Sequence, residues 1–209
     1  MQAADLERVS EMALYRVNPA HIDQLLAEKI AANIRPLPEE IAELLTWGAD
    51  EHLLLGCAAA AWAVATVRRS PLQPAVSHWL LVTMASAAIP HVLKLAFDQV
   101  RPDRKTVRGH LHGIPISGDA MDAFPSGHAL HMGALASAAA PLPGKYRLVA
   151  WTTALSLAGT RVVVLAHWLT DVVAGFAMGI ALERGIRRLT GYPNYYIRRM
   201  LSPQDEGVD

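Results

Sequence analysis

Three short stretches of the chain carry side chains that could hold a phosphate group and attack it. The stretch Phe124-Pro125-Ser126-Gly127-His128 ends a polar loop, and a small, apolar helix is expected to begin at Ala129. Free backbone N–H groups and the positive end of the helix dipole at such a start favour the binding of a phosphate or another oxyanion. Pro-Ser-Gly is also ordinary turn chemistry, so this stretch by itself leaves both interpretations open.

The second and third stretches lie on either side of the first and add charge. Upstream, six residues separate Lys94 from Arg101-Pro102; downstream, five residues separate Thr160-Arg161 from His167, and three more separate His167 from Asp171. Phosphoryl transfer spreads negative charge over the equatorial oxygens of the phosphate. The three cationic side chains could neutralise that charge, and the planar fork of arginine can hold two oxygens at once.

His167 and Asp171 are four positions apart, so on a helix they would share a face and could form a hydrogen bond. A carboxylate that holds one ring nitrogen of a histidine fixes the tautomer and leaves the other nitrogen free to attack phosphorus. Ser126 and the backbone N–H groups of Gly127 and His128 would complete the phosphate-binding site.

In their order and spacing the three stretches resemble the motifs of the type 2 phosphatidic acid phosphatase family, whose superfamily also contains bacterial class A acid phosphatases and vanadium haloperoxidases. The family motifs read Lys, six residues, Arg-Pro; then Pro-Ser-Gly-His; then Ser-Arg, five residues, His, three residues, Asp. All three occur here, with Thr160 where serine is usual. The resemblance covers the chain from about residue 45 to about residue 185.

The resemblance implies a role for each matching residue. His167 would be the nucleophile that forms a phosphohistidine, Asp171 would orient it, and His128 would protonate the departing alcohol and then help water release the phosphate. The phosphate-binding residues would be Lys94, Arg101, Ser126, Gly127 and Arg161. Because the acids of the apolar part of the chain are not at metal-ligand spacing, neither a metal nor another cofactor is expected.

Simpler interpretations exist for two of the cations. Lys94 could pair with Asp98 one helical turn later, and Arg161 could be an anchor whose charged end reaches the membrane surface. A charged group at the bilayer centre costs about 2.5 to 3.5 kcal/mol, so a buried Arg161 needs a partner, and a bound anion would be one. Among the histidines outside the motifs, His112 and His131 are the ones expected to touch substrate.

Composition favours a membrane protein, because 52% of the residues are hydrophobic and only 18% are charged. The formal net charge is zero, so no attraction to nucleic acid is expected. Residues 1–19 lack the apolar core of a secretory signal peptide, which disfavours a secreted soluble phosphatase. The single cysteine, Cys57, is expected to be a small buried hydrophobe.

The elements that must position these residues are apolar segments separated by polar turns. With the resemblance, they predict an all-α integral membrane bundle of about five transmembrane helices. The amphipathic residues 1–50, divided at Pro36 and Pro38, are expected to form a cap on the membrane surface or on the bundle, without a catalytic constellation. Residues 51–188 would be the phosphatase domain, and 189–209 a basic and then polar tail. The segments are Leu53–Val67, Ala75–Phe97, Ala129–Leu142, Tyr146–Gly159 and Trp168–Leu182.

Antiparallel alternation of five helices places all the motif residues at one end of the bundle. The other end receives many of the basic residues of the short connections and the tail, so by the positive-inside rule it is cytoplasmic. The catalytic end would then face the periplasm or the outside of a cell membrane, with a bacterial inner membrane favoured, and the amino-terminal cap would lie at that same end. Tryptophans near segment ends, including Trp168, are expected to form an interfacial belt.

These patterns predict a membrane phosphatase that hydrolyses a lipid phosphomonoester or diphosphate, with membrane lipids as its surroundings and no nucleic-acid partner. Phosphatidic acid, phosphatidylglycerol phosphate and undecaprenyl diphosphate are the candidate substrates from the family. Three alternatives stay open: a phosphotransferase that uses the same phosphohistidine, a vanadate-dependent haloperoxidase, and a non-catalytic membrane scaffold or transporter of the same fold. The sequence favours no oligomeric state.

Overall fold

The computed structural model of the chain describes residues 14–33, 41–42, 44–45, 48, 50–105 and 120–193, with the side chains of 104 and 105 excepted. Within these ranges the chain is mostly helical. The expectations for residues 1–13, for the break at Pro36 and Pro38, for His112 and for the tail from residue 194 lie outside the described residues. The elements in chain order are β1 (Tyr15–Arg16), α1 (His21–Asn33), α2 (Glu51–Val67), α3 (Gln73–Lys94), β2 (Phe97–Asp98), α4 (Pro102–Lys105), α5 (Gly127–Ala138), α6 (Gly144–Val163) and α7 (Leu169–Thr190).

Helix α5 is the centre of the bundle and packs against α3, α6 and α7, while α2 packs against α3. The approach of α5 to α7 is close because glycines face the partner backbone. A Cβ atom on Gly133 would lie 2.0 Å from the carbonyl oxygen of Phe176, and one on Gly179 would lie 2.0 Å from that of Leu130. Small residues in α5 therefore allow close helix packing, as the sequence predicted. The core cluster that joins these helices consists of Ala129, Met132, Ala136, Ala154, Ala158, Val172 and Phe176.

The five apolar segments of the sequence correspond to α2, α3, α5, α6 and α7, with different bounds. By length and composition, α3 is the one described helix that could cross a membrane, and α2 is a shorter apolar helix. Helix α5 ends at Ala138 instead of reaching Leu142, because Pro141 and Pro143 cannot donate the backbone hydrogen bonds that would continue it.

The amino-terminal segment adds a feature that an all-α prediction lacks. Strand β1 pairs in parallel with β2, with Tyr15 opposite Phe97 and Arg16 opposite Asp98. Helix α1 then lies against the start of α7, where Asp23 accepts hydrogen bonds from Thr170. Residues 14–33 thus lie at the motif-bearing end of the bundle.

A buried polar cluster lies at the opposite end of α7. Glu183 is fully buried, its Oε1 lies 3.0 Å from Nε2 of His78 on α3, and it accepts a hydrogen bond from the hydroxyl of Ser137 on α5. Arg187 donates to the same carboxylate from one turn further along α7. This cluster ties α3, α5 and α7 together far from the motifs.

Two expectations about single residues are wrong. Cys57 is exposed, because α2 contacts the bundle along α3 and its other sides face outward. Trp168 does not belong to an interfacial belt. Its side chain is buried, and its indole N–H donates to the carbonyl oxygen of Val100 over 2.7 Å.

Candidate active site

Backbone pairing brings the first motif beside the loop that leads into α5. Gln99 N–H donates to the carbonyl of Met121 over 2.8 Å, and Ala123 N–H donates back to Gln99 over 3.0 Å. Gln99 and Asp122 thereby form an isolated parallel bridge, and Arg101 N–H donates separately to the carbonyl of Ala120 over 3.0 Å. These bonds hold the segment that carries Arg101 beside the residues that lead into the Pro-Ser-Gly-His motif.

The side chain of Arg101 joins the first motif to the third. It is buried, and its guanidinium donates to the carbonyl oxygens of Ala166 over 3.1 Å and Asp122 over 3.3 Å. Ala166 directly precedes His167 in the turn between α6 and α7. An arginine in this position fixes two backbone segments while it keeps a permanent positive charge beside them.

The second motif begins α5 and also contacts the third. Ser126 is the N-cap of α5, and its hydroxyl oxygen accepts from Ala129 N–H over 3.4 Å. The backbone N–H of Ser126 donates to the carbonyl oxygen of Asp171 over 3.3 Å. Gly127 and His128 are the first two residues of the helix, so the predicted helix start is two residues late.

His167 lies in the turn before α7 with its ring held by the protein backbone. The side chain is buried, and Nδ1 lies 2.6 Å from the carbonyl oxygen of Ala123. A carbonyl oxygen can only accept, so Nδ1 carries the proton and the Nε2 lone pair of the neutral ring is free. This is the tautomer that an attacking imidazole requires.

The hydrogen bond predicted between His167 and Asp171 is wrong, because the shared helical face on which it rested does not exist. Helix α7 begins at Leu169, after His167. Oδ2 of Asp171 instead accepts from the backbone N–H of Trp168 over 3.0 Å, and its Oδ1 has no hydrogen-bond partner among the described residues. Ala123 therefore occupies the orienting position that the resemblance gave to Asp171.

Burial and nearby positive charge act on both motif histidines. Burial, followed by the charges of Arg101 and Arg161, holds the pKa of His167 well below its usual range. The positive charges of Arg161, Arg101 and Lys94 also act on His128, the second residue of α5. Both imidazoles thus lie within the field of the same cations, which is the field that a phosphate would neutralise.

Arg161 is 6% exposed, near the end of α6, so it is not an anchor that reaches the membrane surface. Its Nε has no hydrogen-bond partner within the described part of the chain. Thr160, the departure from the family motif, donates its hydroxyl to Leu157 over 2.7 Å. The Thr160 hydroxyl therefore bonds to its own helix, and threonine at this position does not displace Arg161.

Lys94 pairs with a different acid from the one considered above. Its Nζ lies 3.4 Å from Oδ2 of Asp122, while Asp98 belongs to β2.

His131, one turn into α5, is buried, and its Nδ1 lies 3.2 Å from the carbonyl oxygen of Gly127. His131 is thus held against its own helix beside the motif.

The structure therefore brings together, at one end of the bundle, all eight residues that the motifs selected. Three participants were missed: the Ala123 carbonyl, the Asp122 carboxylate and Asp23. No side-chain pattern could identify a backbone carbonyl, and the two acids are recognisable only once distant segments meet. Within the described ranges, no group of three or more His, Cys, Asp or Glu side chains is placed to hold a metal ion.

Comparisons with known proteins point to one family. The sequence model of the PAP2 superfamily matches residues 75–195. The lipid A 1-phosphatase of Rhizobium etli is 32% identical over 178 residues, which are 78% of this chain and 77% of that protein. The lipid A 1-phosphatase of Rhizobium johnstonii is 33% identical over 164 residues, which are 72% and 67% of the two chains.

Two solved structures share the fold. The first transmembrane PAP2 type phosphatidylglycerolphosphate phosphatase from Bacillus subtilis matches with a TM-score of 0.63 at 20% identity, over 81% of this chain and 85% of that one. Aquifex aeolicus LpxE matches with a TM-score of 0.59 at 15% identity, over 81% and 96% of the two chains.

Proposed function

The chain belongs to the PAP2 superfamily, and we propose that it is a metal-independent membrane phosphatase that hydrolyses a lipid phosphomonoester or diphosphate through a phosphohistidine. The observation that carries this proposal is the hydrogen bond between Nδ1 of His167 and the carbonyl of Ala123. That bond leaves Nε2 without a proton, in the field of Arg101 and Arg161. An imidazole so prepared supports nucleophilic attack on phosphorus.

The reaction would proceed in two balanced steps. First, the Nε2 lone pair of His167 forms a bond to phosphorus while the bond from phosphorus to the lipid oxygen breaks, and His128 gives that oxygen a proton. Water then attacks the phosphohistidine, His128 takes a proton from the water, and the N–P bond breaks to release inorganic phosphate. Lys94, Arg101 and Arg161 would neutralise the charge of the transferred group in both steps.

His128 must hold a proton at the start of this cycle. The positive charges of Arg161, Arg101 and Lys94 around it disfavour its protonated form in the empty site. A bound phosphate brings negative charge to the same place and so favours the protonated form. His128 would then become a proton donor only when substrate occupies the site.

We propose that α2, α3, α5, α6 and α7 all cross a membrane, in a phosphatase domain of residues 51–188 between a cap (1–50) and a tail (189–209). Large apolar side chains point outward from α2, α3 and α6, which suits contact with lipid. They include Leu53, Val64, Met84, Val92, Leu148 and Val149. Arg68 directly follows α2, and Lys145 and Arg147 lie in the first turn of α6, all at the end opposite the motifs. By the positive-inside rule, these charges support a site at the outer face of the membrane.

For the substrate, we place the 1-phosphate of a lipid A molecule first. The relatives that support this choice carry the name lipid A 1-phosphatase and match this chain over most of its length. The motif residues bind the phosphate and do not distinguish the lipid that carries it. Phosphatidic acid, phosphatidylglycerol phosphate and undecaprenyl diphosphate are therefore the comparison substrates.

The experiment is phosphate release by the detergent-purified protein from each of these four lipids, in the presence of a chelator. We expect release by the wild type and none above background by His167→Ala. His91→Ala is the matched control, because His91 is exposed on α3 near the same end of the bundle. Equal release by wild type and His167→Ala, or no release from any of the four lipids, would refute the proposal.

A further inference from the structure

We propose that the amino-terminal arm, residues 14–33, holds the catalytic turn in place, and that Asp23 is a positioning residue for His167. This role depends on the proposed function of His167 as the nucleophile. The arm precedes residues 75–195, which match the superfamily, and its own sequence shows no catalytic pattern. Its contacts place it against both sides of the candidate active site.

Asp23 is 1% exposed and connects the starts of two helices. Its Oδ1 accepts from the backbone N–H of Thr170 over 3.0 Å, and its Oδ2 accepts from the Thr170 hydroxyl over 2.7 Å. The same Oδ2 accepts from Ala20 N–H over 2.9 Å, at the start of α1. Thr170 is the third residue after His167, so the Asp23 carboxyl group is hydrogen-bonded to the chain just beyond the proposed nucleophile.

Helix α7 needs this external partner because it cannot cap itself in the ordinary way. Its N-cap residue is Trp168, and the indole N–H is only a donor, which is directed to Val100. Asp171 accepts from Trp168 N–H, which leaves the N–H of Thr170 to be satisfied from elsewhere. Asp23 supplies that acceptor, and a negative group there also suits the helix dipole.

The arm also packs against the strained part of the same turn. Leu165, two residues before His167, has a φ of 55°, which is costly for a side chain of this type. It is buried in a cluster with Ala27 of α1, Trp168 and Ala123, the residue whose carbonyl holds His167. A strained backbone persists only when its surroundings fix it, and α1 is part of those surroundings.

The beginning of the arm contacts the other side of the site. Tyr15 N–H donates to Ala96 over 2.9 Å and Val17 N–H donates to Asp98 over 2.8 Å. These bonds hold the short segment that joins Lys94 to Arg101. Residues 14–33 therefore contact both the segment that joins Lys94 to Arg101 and the turn that carries His167.

The test compares kcat and KM of Asp23→Ala with wild type, on whichever of the four lipids the wild type cleaves fastest. Loss of Asp23 should let His167 move while the phosphate-binding cations stay, so kcat should fall about 10- to 100-fold with KM within about twofold. Asp23→Asn keeps one acceptor oxygen and should recover part of the loss. Glu28→Ala is the matched control, because Glu28 is exposed on the same helix.

Thermal unfolding of each purified variant shows whether it is folded. If Asp23→Ala is not folded, Thr170→Val removes only the hydroxyl contact, and a wild-type kcat in that variant would overturn the proposal. A wild-type kcat in folded Asp23→Ala, or a raised KM at unchanged kcat, would do the same. An inactive wild type, or an active His167→Ala, would instead refute the proposed function itself.

Discussion

We expect Gly179→Ala to force α5 and α7 apart and to reduce both stability and activity. The added Cβ would lie 2.0 Å from the carbonyl oxygen of Leu130 and 2.7 Å from Ala134 N, where ordinary contact begins at 3.4 Å. To restore ordinary contact, the backbone of Leu130 would have to move by about 1.4 Å, from 2.0 to 3.4 Å. Backbone cannot rotate away as a side chain can. Overpacking of this kind costs about 1–3 kcal/mol, which lowers Tm by about 2–12 °C in a chain of this size.

Activity should fall with stability, because α5 begins with the Pro-Ser-Gly-His motif. A misplacement of about 1 Å can reduce the rate about 100-fold. The matched control is Gly185→Ala in the same helix, where a Cβ would meet nothing within 4 Å. That change should stabilise α7 by about 0.5–1 kcal/mol through helix propensity. Thermal unfolding in detergent and phosphate release measure the two effects, and equal values for both variants would refute the packing argument.

Three further outcomes follow from the site and from the buried cluster. Because the pKa of His167 is held below its usual range, the neutral form of its ring persists on the acid side, and the acid limb of kcat/KM should lie below about pH 6.5. The measurement is a pH profile of kcat/KM corrected for substrate ionisation. An acid limb at or above pH 6.5 would contradict this expectation. Asp122→Asn removes the charge that pairs with Lys94 and should lower KM by up to about fivefold in steady-state kinetics. A raised KM would instead show that the ion pair of Lys94 and Asp122 helps substrate binding. Glu183→Ala breaks the buried cluster and should reduce the free energy of unfolding by about 3–5 kcal/mol, measured by thermal unfolding. Arg184→Ala, at the exposed neighbouring position, should change that free energy little.

The family of this protein, and with it the class of phosphatases, could be predicted from its sequence because the family motifs consist of residue types at short spacing. The three motifs identified the family and selected Arg101, His128, Arg161 and His167, and the structure brings them together. The order of the apolar helices followed from the apolar segments of the sequence. Helix bounds did not, since they depend on prolines and caps, as at the end of α5.

Only the tertiary structure decided which groups hold the side chain of His167. The sequence pattern paired His167 with Asp171, because residues four apart meet on a helix, but α7 starts after His167 and the backbone of Ala123 takes that place. Asp23 meets Thr170 across 147 positions of the chain, and local spacing carries no information about such a contact. Residue type and spacing therefore determined the family and the enzyme class of the chain, whereas long-range packing and backbone hydrogen bonds determined how the side chains of the motifs are held.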